Sequence, residues 1–410
     1  MKLRSLLVVL ALIAAACGSS GTDAASDAAE ETALDELAED ETSADTEPEP
    51  AAVDTSEAPS NEAVETDDAV GDVVDDAPDA VEEEPVIDDA EVVVETRGLI
   101  GPPETLSPNC STIPSAQVGL QTGTITTGGL EYEFQFIVPS SYDGTTPTPM
   151  VLDFHGLGSN GPQQALFSGV AAQAELAGFI AVEPTGLPLP GDDRNSWELP
   201  QFDTPGRDDV QMVVDLIDFV SQNVCVDPGR IYSMGMSNGS LFTSELVCDL
   251  SERIAAAVSV AGVTHDDSCD PTRAVPYLAF HGIDDTTVPF NGGGVSSLGE
   301  SEFFEQVMPE EFSQFADDFG CTGSEDSSVT AEITLTSYVG CNDEVELGFY
   351  AIAGAGHTWP GSPISVGIPS LGITNIDISA TEIAWEFFQE NSLPGAIEIV
   401  DDAGDGEADG

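Results

Sequence analysis

The sequence predicts an α/β fold, with a mostly parallel central sheet and helices on both faces. Three observations predict it. Short, nearly uninterrupted apolar runs recur from Met150 onward, which is how strands buried on both faces read. Segments with helical spacing alternate with those runs, as crossover connections require. The stretch from about Pro108 to Leu393 is also one domain's worth of chain, long enough for a sizeable core.

Taken in order, two β-rich runs between Thr122 and Pro139 flank Gly128-Gly129 and predict a hairpin, adding antiparallel strands at one edge. MVLDFHG, Met150 to Gly156, is a strand. QQALFSGVAAQAELAG from Gln163 has helical spacing, and FIAVEP from Phe179 is the next strand. DDVQMVVDLIDFVSQN from Asp208 is an amphipathic helix with Val210, Val213, Val214, Ile217 and Val220 on one face. RIYSMGMS is a strand and LFTSELVCDL a helix. AAAVSVAG from Ala255 and PYLAFHG from Pro276 are strands, EFSQFADDF from Glu311 a helix, and ELGFYAIAG from Glu346 a strand. SATEIAWEFFQE from Ser379 is the last helix, and no internal repeat is present.

The ends read differently. Residues 1–16, opening MKLRSLLVVL, have a short basic start and an apolar run too short to span a bilayer, which is the pattern of an export signal. Ala14-Ala15-Ala16-Cys17 resembles a bacterial lipobox and implies a lipid on Cys17. From Cys17 to residue 97 the chain is dominated by Ala, Asp, Glu, Thr and Pro, and it reads as a disordered acidic spacer. The tail at 396–410 reads the same way, leaving 98–395 as the folded domain. Over the whole chain 76 Asp and Glu face 8 Lys and Arg, a net charge of −68. Nucleic acid is excluded as a partner, because phosphate neutralisation needs Lys and Arg. The same balance predicts adaptation to a salty medium.

Beyond Cys17 there are six cysteines, an even number in an exported chain, which suggests disulfides among fifteen possible pairings. Cys321 and Cys341 flank one segment and are the first candidate pair; Cys248–Cys269 and Cys110–Cys225 are the others. No Cys-x-x-Cys occurs, and the Asp spacing of the tail does not fit a calcium loop, so no metal is expected.

The chemistry centres on Gly235-x-Ser237-x-Gly239, between an apolar strand and a helix. A serine there sits on a sharp turn that exposes its hydroxyl, with the N-terminus of a helix beside it. The hydroxyl needs a base. His155 and His281 each precede a glycine at a strand end and read as structural, and His265 lies in a polar loop. His357, in AGAGHTWPG just past the last strand, is the candidate base. The imidazole needs a carboxylate, and chain order puts it between Ser237 and His357. HGIDDTTVP offers Asp284 and Asp285; Asp266 and Asp267 come one strand earlier. The backbone N–H groups of Asn238 and Leu157 are the candidate oxyanion donors.

The set DFHGLGSNG, CVDPGRIYSMGMSNGS, CDLSERIAAAVSVAG, FHGIDDTTVPF and AGAGHTWPG resembles the bacterial secreted esterases known as polyhydroxybutyrate depolymerases or feruloyl esterases. These are similar to carbohydrate-esterase α/β-hydrolases. The resemblance covers roughly Ser107 to Phe388. It implies the α/β-hydrolase fold, a Ser237–Asp285–His357 triad with Asp285 rather than Asp284 as the acid, disulfides, and no cofactor. Ser240 and Phe290 depart from the family's usual Gly and Tyr. By analogy, Trp359 and Trp197 line an aromatic or acyl pocket. The expected partners are an ester substrate, polymeric or small, and a membrane reached through the lipid anchor, with the chain a monomer. The rival readings are a serine peptidase of the same fold and a non-catalytic surface-binding lipoprotein.

Overall fold

The computed structural model describes Cys110 and residues 116–200, 204–293 and 306–394. The leader, Cys17, the acidic stretch to residue 97 and the tail at 396–410 lie outside the described residues. Among the described residues no helix is long and apolar enough to cross a membrane.

The hairpin forms as β1 (Gly119–Thr127) and β2 (Leu130–Val138). β3 (Thr148–Phe154) follows. The sequence predicts one helix after it, but two form, α1 (Gly161–Ser168) and α2 (Val170–Ala177). Gly169 separates them at φ 75°, a left-handed conformation that ends α1 with its N–H on Ala165 O. Then come β4 (Ile180–Pro184) and a small separate ladder of β5 (Leu187–Pro188) and β6 (Asn195–Ser196). α3 (Asp209–Asn223) starts where the Asp208 side chain accepts from the Gln211 N–H. β7 (Val226–Met236), α4 (Asn238–Asp249), β8 (Ala256–Val260) and β9 (Tyr277–Gly282) carry the chain through the centre. The remainder is α5 (Met308–Asp318), β10 (Gly323–Ser328), β11 (Ile333–Val339), β12 (Leu347–Ile352), α6 (Pro363–Val366) and α7 (Ala380–Glu390).

Ten strands form one sheet in the order β1-β2-β4-β3-β7-β8-β9-β12-β11-β10. The run from β4 to β12 is parallel. Antiparallel pairs flank it at both edges, not at one as predicted. The second edge, β10, is GSEDSS with every residue exposed; it buries no face and so shows no apolar alternation. Its charges also discourage edge-to-edge pairing. This is the α/β-hydrolase fold. The chain runs from β3 outward to β4, then back across β3 to β7. The carboxyl ends of β3 and β7 therefore flank a switch point, where open α/β sheets hold their ligands.

Each face of the sheet has its own core. Val210, Val213, Val214, Ile217 and Val220 of α3 are all buried on one side, with Phe242 and Leu246 of α4 and Phe312 and Phe315 of α5. Val170 and Ala174 of α2 pack on the other, with Phe179 stacked on Trp385 and Tyr232 on Phe388. Full burial of such side chains stabilises by about 1.5–3 kcal/mol each. Disulfides join Cys110 to Cys225, Cys248 to Cys269 and Cys321 to Cys341, the pairs the sequence suggested.

One ion pair is buried at the start of α3. The Arg207 and Asp209 side chains are 5% and 0% exposed. Asp209 also accepts from the Tyr132 hydroxyl at 2.7 Å and from the Glu198 N–H at 2.7 Å. Arg207 donates to the carbonyls of Leu187 and Ser196, so the pair fastens the β5–β6 ladder to the body of the domain.

Candidate active site

Ser237 lies between β7 and α4 with φ 56° and ψ −121°, a strained conformation for a residue with a side chain. The backbone holds it there. Ser237 N–H donates to Val260 O at 2.9 Å, and its carbonyl accepts from the N–H groups of Ser240 and Leu241. The Ser240 hydroxyl adds a third bond to that carbonyl at 2.6 Å, which gives the departure from the usual glycine a local role. The flanking glycines answer to close approach. A Cβ on Gly235 would lie 2.4 Å from Gly239 O, and one on Gly239 would lie 2.1 Å from Phe154 O. Strand and helix backbones meet there with no room for a methyl group.

The loop after β3 runs alongside. A Cβ on Gly156 would stand 3.3 Å from the Ser237 Cβ. Gly158 N–H donates to Asn195 O at 2.7 Å, which pins the loop to β6. Among the described residues, no carbonyl accepts the N–H of Leu157 or of Asn238. The Asn238 side chain is engaged through its Oδ1, which accepts from the Trp197 N–H at 2.7 Å.

Asp285 and His357 meet although 72 residues apart: His357 Nδ1 donates to Asp285 Oδ2 at 2.7 Å. Oδ1 accepts the N–H groups of Thr287 and Val288 at 2.7 and 2.9 Å. Burial alone would raise the carboxyl's pKa. The charge of His357 and hydrogen bonds from His281 and His357 outweigh it and hold Asp285 well below the usual carboxylate range. Asp284, left open by the residues alone, is exposed, and its N–H serves the loop by donating to Ala355 O. Asp266 caps its own turn through the Ser268 N–H. With Nδ1 donating to a carboxylate, Nε2 is the basic nitrogen of His357. Among the described residues no hydrogen bond joins Ser237 to His357.

The remaining histidines are fixed elsewhere. His155 is buried; Gly186 N–H donates to its Nε2, and its Nδ1 donates to Gly156 O. Burial lowers its pKa to about 4, so it is neutral. His265 Nε2 lies 2.7 Å from Asp318 Oδ2. Cys269 is close to both, but its sulfur is bonded to Cys248, so the three do not form a metal site. His281 stands 3.4 Å from Asp285 Oδ2, a proximity that reading it as a turn former misses.

The two tryptophans read as pocket-lining lie in the core. Trp197 is fully buried, with Nε1 donating to His155 O and its ring stacked on Phe242 and edge-on to Phe154. Trp359 is 1% exposed, with Nε1 donating to Thr381. Both are core residues whose ring nitrogens have hydrogen-bond partners. A cavity of about 390 Å³ lies at the opposite ends of β3 and β7, lined by Thr148, Arg230 and Tyr232, and includes none of the candidate residues.

No family model matches the chain. Feruloyl esterase B of Piromyces equi is 29% identical over 261 residues, which is 62% of this chain but 44% of that protein. Feruloyl esterase C of Emericella nidulans is 28% identical over 289 residues, covering 69% of this chain and 90% of that one. Among solved structures, an acetyl xylan esterase from Aspergillus awamori aligns with a TM-score of 0.46 at 16% identity, over 66% of this chain and 99% of that one. The chain is therefore similar to named feruloyl esterases, and it spans less than half the length of the first of them.

Proposed function

We propose that this chain is an extracytoplasmic serine esterase that cleaves carboxylic esters through an acyl-enzyme. The observation that carries the reading is the 2.7 Å contact between His357 Nδ1 and Asp285 Oδ2, in the same domain as the strained turn at Ser237. Ser237 Oγ attacks the ester carbonyl carbon while its proton passes to His357 Nε2. The carbonyl oxygen becomes an oxyanion, received by the N–H groups of Leu157 and Asn238. Asp285 stays ionised and stabilises the imidazolium. The tetrahedral species collapses, the C–O bond to the alcohol breaks, and Nε2 returns the proton to the departing oxygen. Water then loses a proton to Nε2, attacks the acyl carbon and releases the acid, restoring Ser237. The bond between Ser237 and His357 forms with substrate in place, as catalytic hydrogen bonds often tighten in the bound complex.

The relatives' names favour feruloyl or acetyl esters of polysaccharide; short-chain polyhydroxyalkanoate is the other substrate the motifs suggest. A net-negative protein favours neutral esters over polyanions. The signal-like leader supports export and Cys17 a lipid anchor, and three disulfides fit an oxidising compartment.

The test is a panel of acetyl, butyryl, 3-hydroxybutyryl and feruloyl chromogenic esters. Ser237→Ala is expected to lower kcat on the best of them by about 10³-fold or more, with the fold intact. A Ser237→Ala protein within tenfold of wild type overturns the reading.

A further inference from the structure

One buried histidine has no part in the scheme above. His281, near the end of β9, is 1% exposed. Its Nε2 lies 2.9 Å from Val288 O and 3.4 Å from Asp285 Oδ2, the oxygen that also accepts the hydrogen bond from His357 Nδ1. Both neighbours are acceptors, so the ring proton sits on Nε2. Nδ1 is buried with no partner among the described residues. An orphaned polar atom of that kind is a standing cost to the fold, which the interactions of Nε2 must offset.

We propose that His281 is a positioning residue for Asp285, its Nε2–H shared between Val288 O and the carboxylate. The contacts close a ring. Val288 gives its N–H to Asp285 Oδ1 and takes the His281 proton on its carbonyl. The turn from 285 to 288 is thereby clamped to the end of β9, and the carboxylate cannot swing away from His357. A donor near Oδ2 also draws charge from the oxygen that attracts the imidazolium. The charged or titratable groups facing His281 are Asp285 and, across it, His357. Phe290 meets the ring edge-on at 5.8 Å, and the residues alongside on β12 and just past β8, Ala351 and Ala261, are uncharged.

The inference rests on the triad reading and is tested by comparing replacements. The amide nitrogen of Gln reaches where the imidazole Nε2 stands, whereas that of Asn stops near Nδ1. His281→Gln is expected to keep kcat within about threefold, with the acidic limb of the kcat/KM–pH profile in place. His281→Asn is expected to lose kcat about 30-fold with KM within about twofold, far less than the ~10⁴-fold loss on disabling a triad carboxylate. Its acidic limb is displaced from the wild-type position, because both the placement and the charge of the carboxylate facing the imidazolium change. His281→Leu, which introduces no buried polar atom, carries the same expectation and keeps the comparison open if the Asn variant does not fold. Equal losses in the Gln and Asn variants, or a loss of kcat with an unmoved acidic limb, overturn the proposal. An active Ser237→Ala enzyme would remove the triad and this inference together. An inactive one beside indistinguishable His281 variants removes this inference alone.

Discussion

Two carboxyl groups at strand ends show how environment divides one chemical type. Asp285 receives charged and backbone donors and is held ionised. Asp153, one residue before the end of β3, is fully buried and accepts hydrogen bonds from the Gln164 amide and the Ser168 hydroxyl. Burial pushes it up to about 8 against the pull of those two bonds. Glu183, one strand over on β4, is raised well above its ordinary value by burial and by Asp153. The folded state thus binds protons that the unfolded chain releases near pH 4, so this contribution to stability is full below pH 4 and is lost as pH climbs through about 8. Asp153→Asn is expected to flatten the fall in melting temperature between pH 5 and 9, measured by calorimetry across buffers; a slope equal to wild type removes the assignment. At this scale the sequence discloses polar residues whose chemistry depends on the order of elements. The turn at Ser237 and the loop carrying His357 are legible from glycines and strand ends, because a sharp turn demands small residues. The direction of a ring is not legible: Trp197 and Trp359 sit near motif residues in sequence but turn into the core, where a large apolar surface gains most from burial.

At the level of elements, the β5–β6 ladder is short and is held by a buried ion pair. It has two residues per strand, so little of its order comes from its own pairing. Arg207 spans the gap, bonding the carbonyls of Leu187 and Ser196 while paired to Asp209. Asp209→Ala leaves that guanidinium buried without its counter-charge, and a loss of about 3–5 kcal/mol is expected in urea unfolding. Because β6 also braces Gly158, an accompanying fall in the proposed esterase activity is expected under conditions where the variant remains folded. The parallel strands and long helices are legible, since burial on one or both faces writes a period into the sequence. The break at Gly169 is not, because a glycine inside a helical pattern is tolerated as often as it ends one. The β10–β11 pair escapes notice because β10 covers nothing and needs no apolar face.

For the whole molecule the dominant fact is charge. With a net charge of −68, repulsion opposes compaction wherever acidic groups stand closer than a screening length, about 10 Å at 0.1 M salt and about 3 Å at 1 M. The domain's melting temperature is expected to rise between 0.1 and 2 M potassium chloride. Melting curves that coincide at the two concentrations would end the idea of a saline habitat. Fold class was legible at this scale because alternation of strands and helices admits few architectures. Sheet order was not, since it is set by which crossovers pack best.

The bond between Cys110 and Cys225 gives the molecule a mechanical character. It fastens the chain ahead of the edge hairpin to the residue that leads into β7, the strand that ends at Ser237. Tension arriving from the amino-terminal side is thus delivered to the middle of the sheet, and β1 and β2 are spared from being peeled away. Reduction of that one bond would reroute the pull through the hairpin, whose ladder can open one rung at a time.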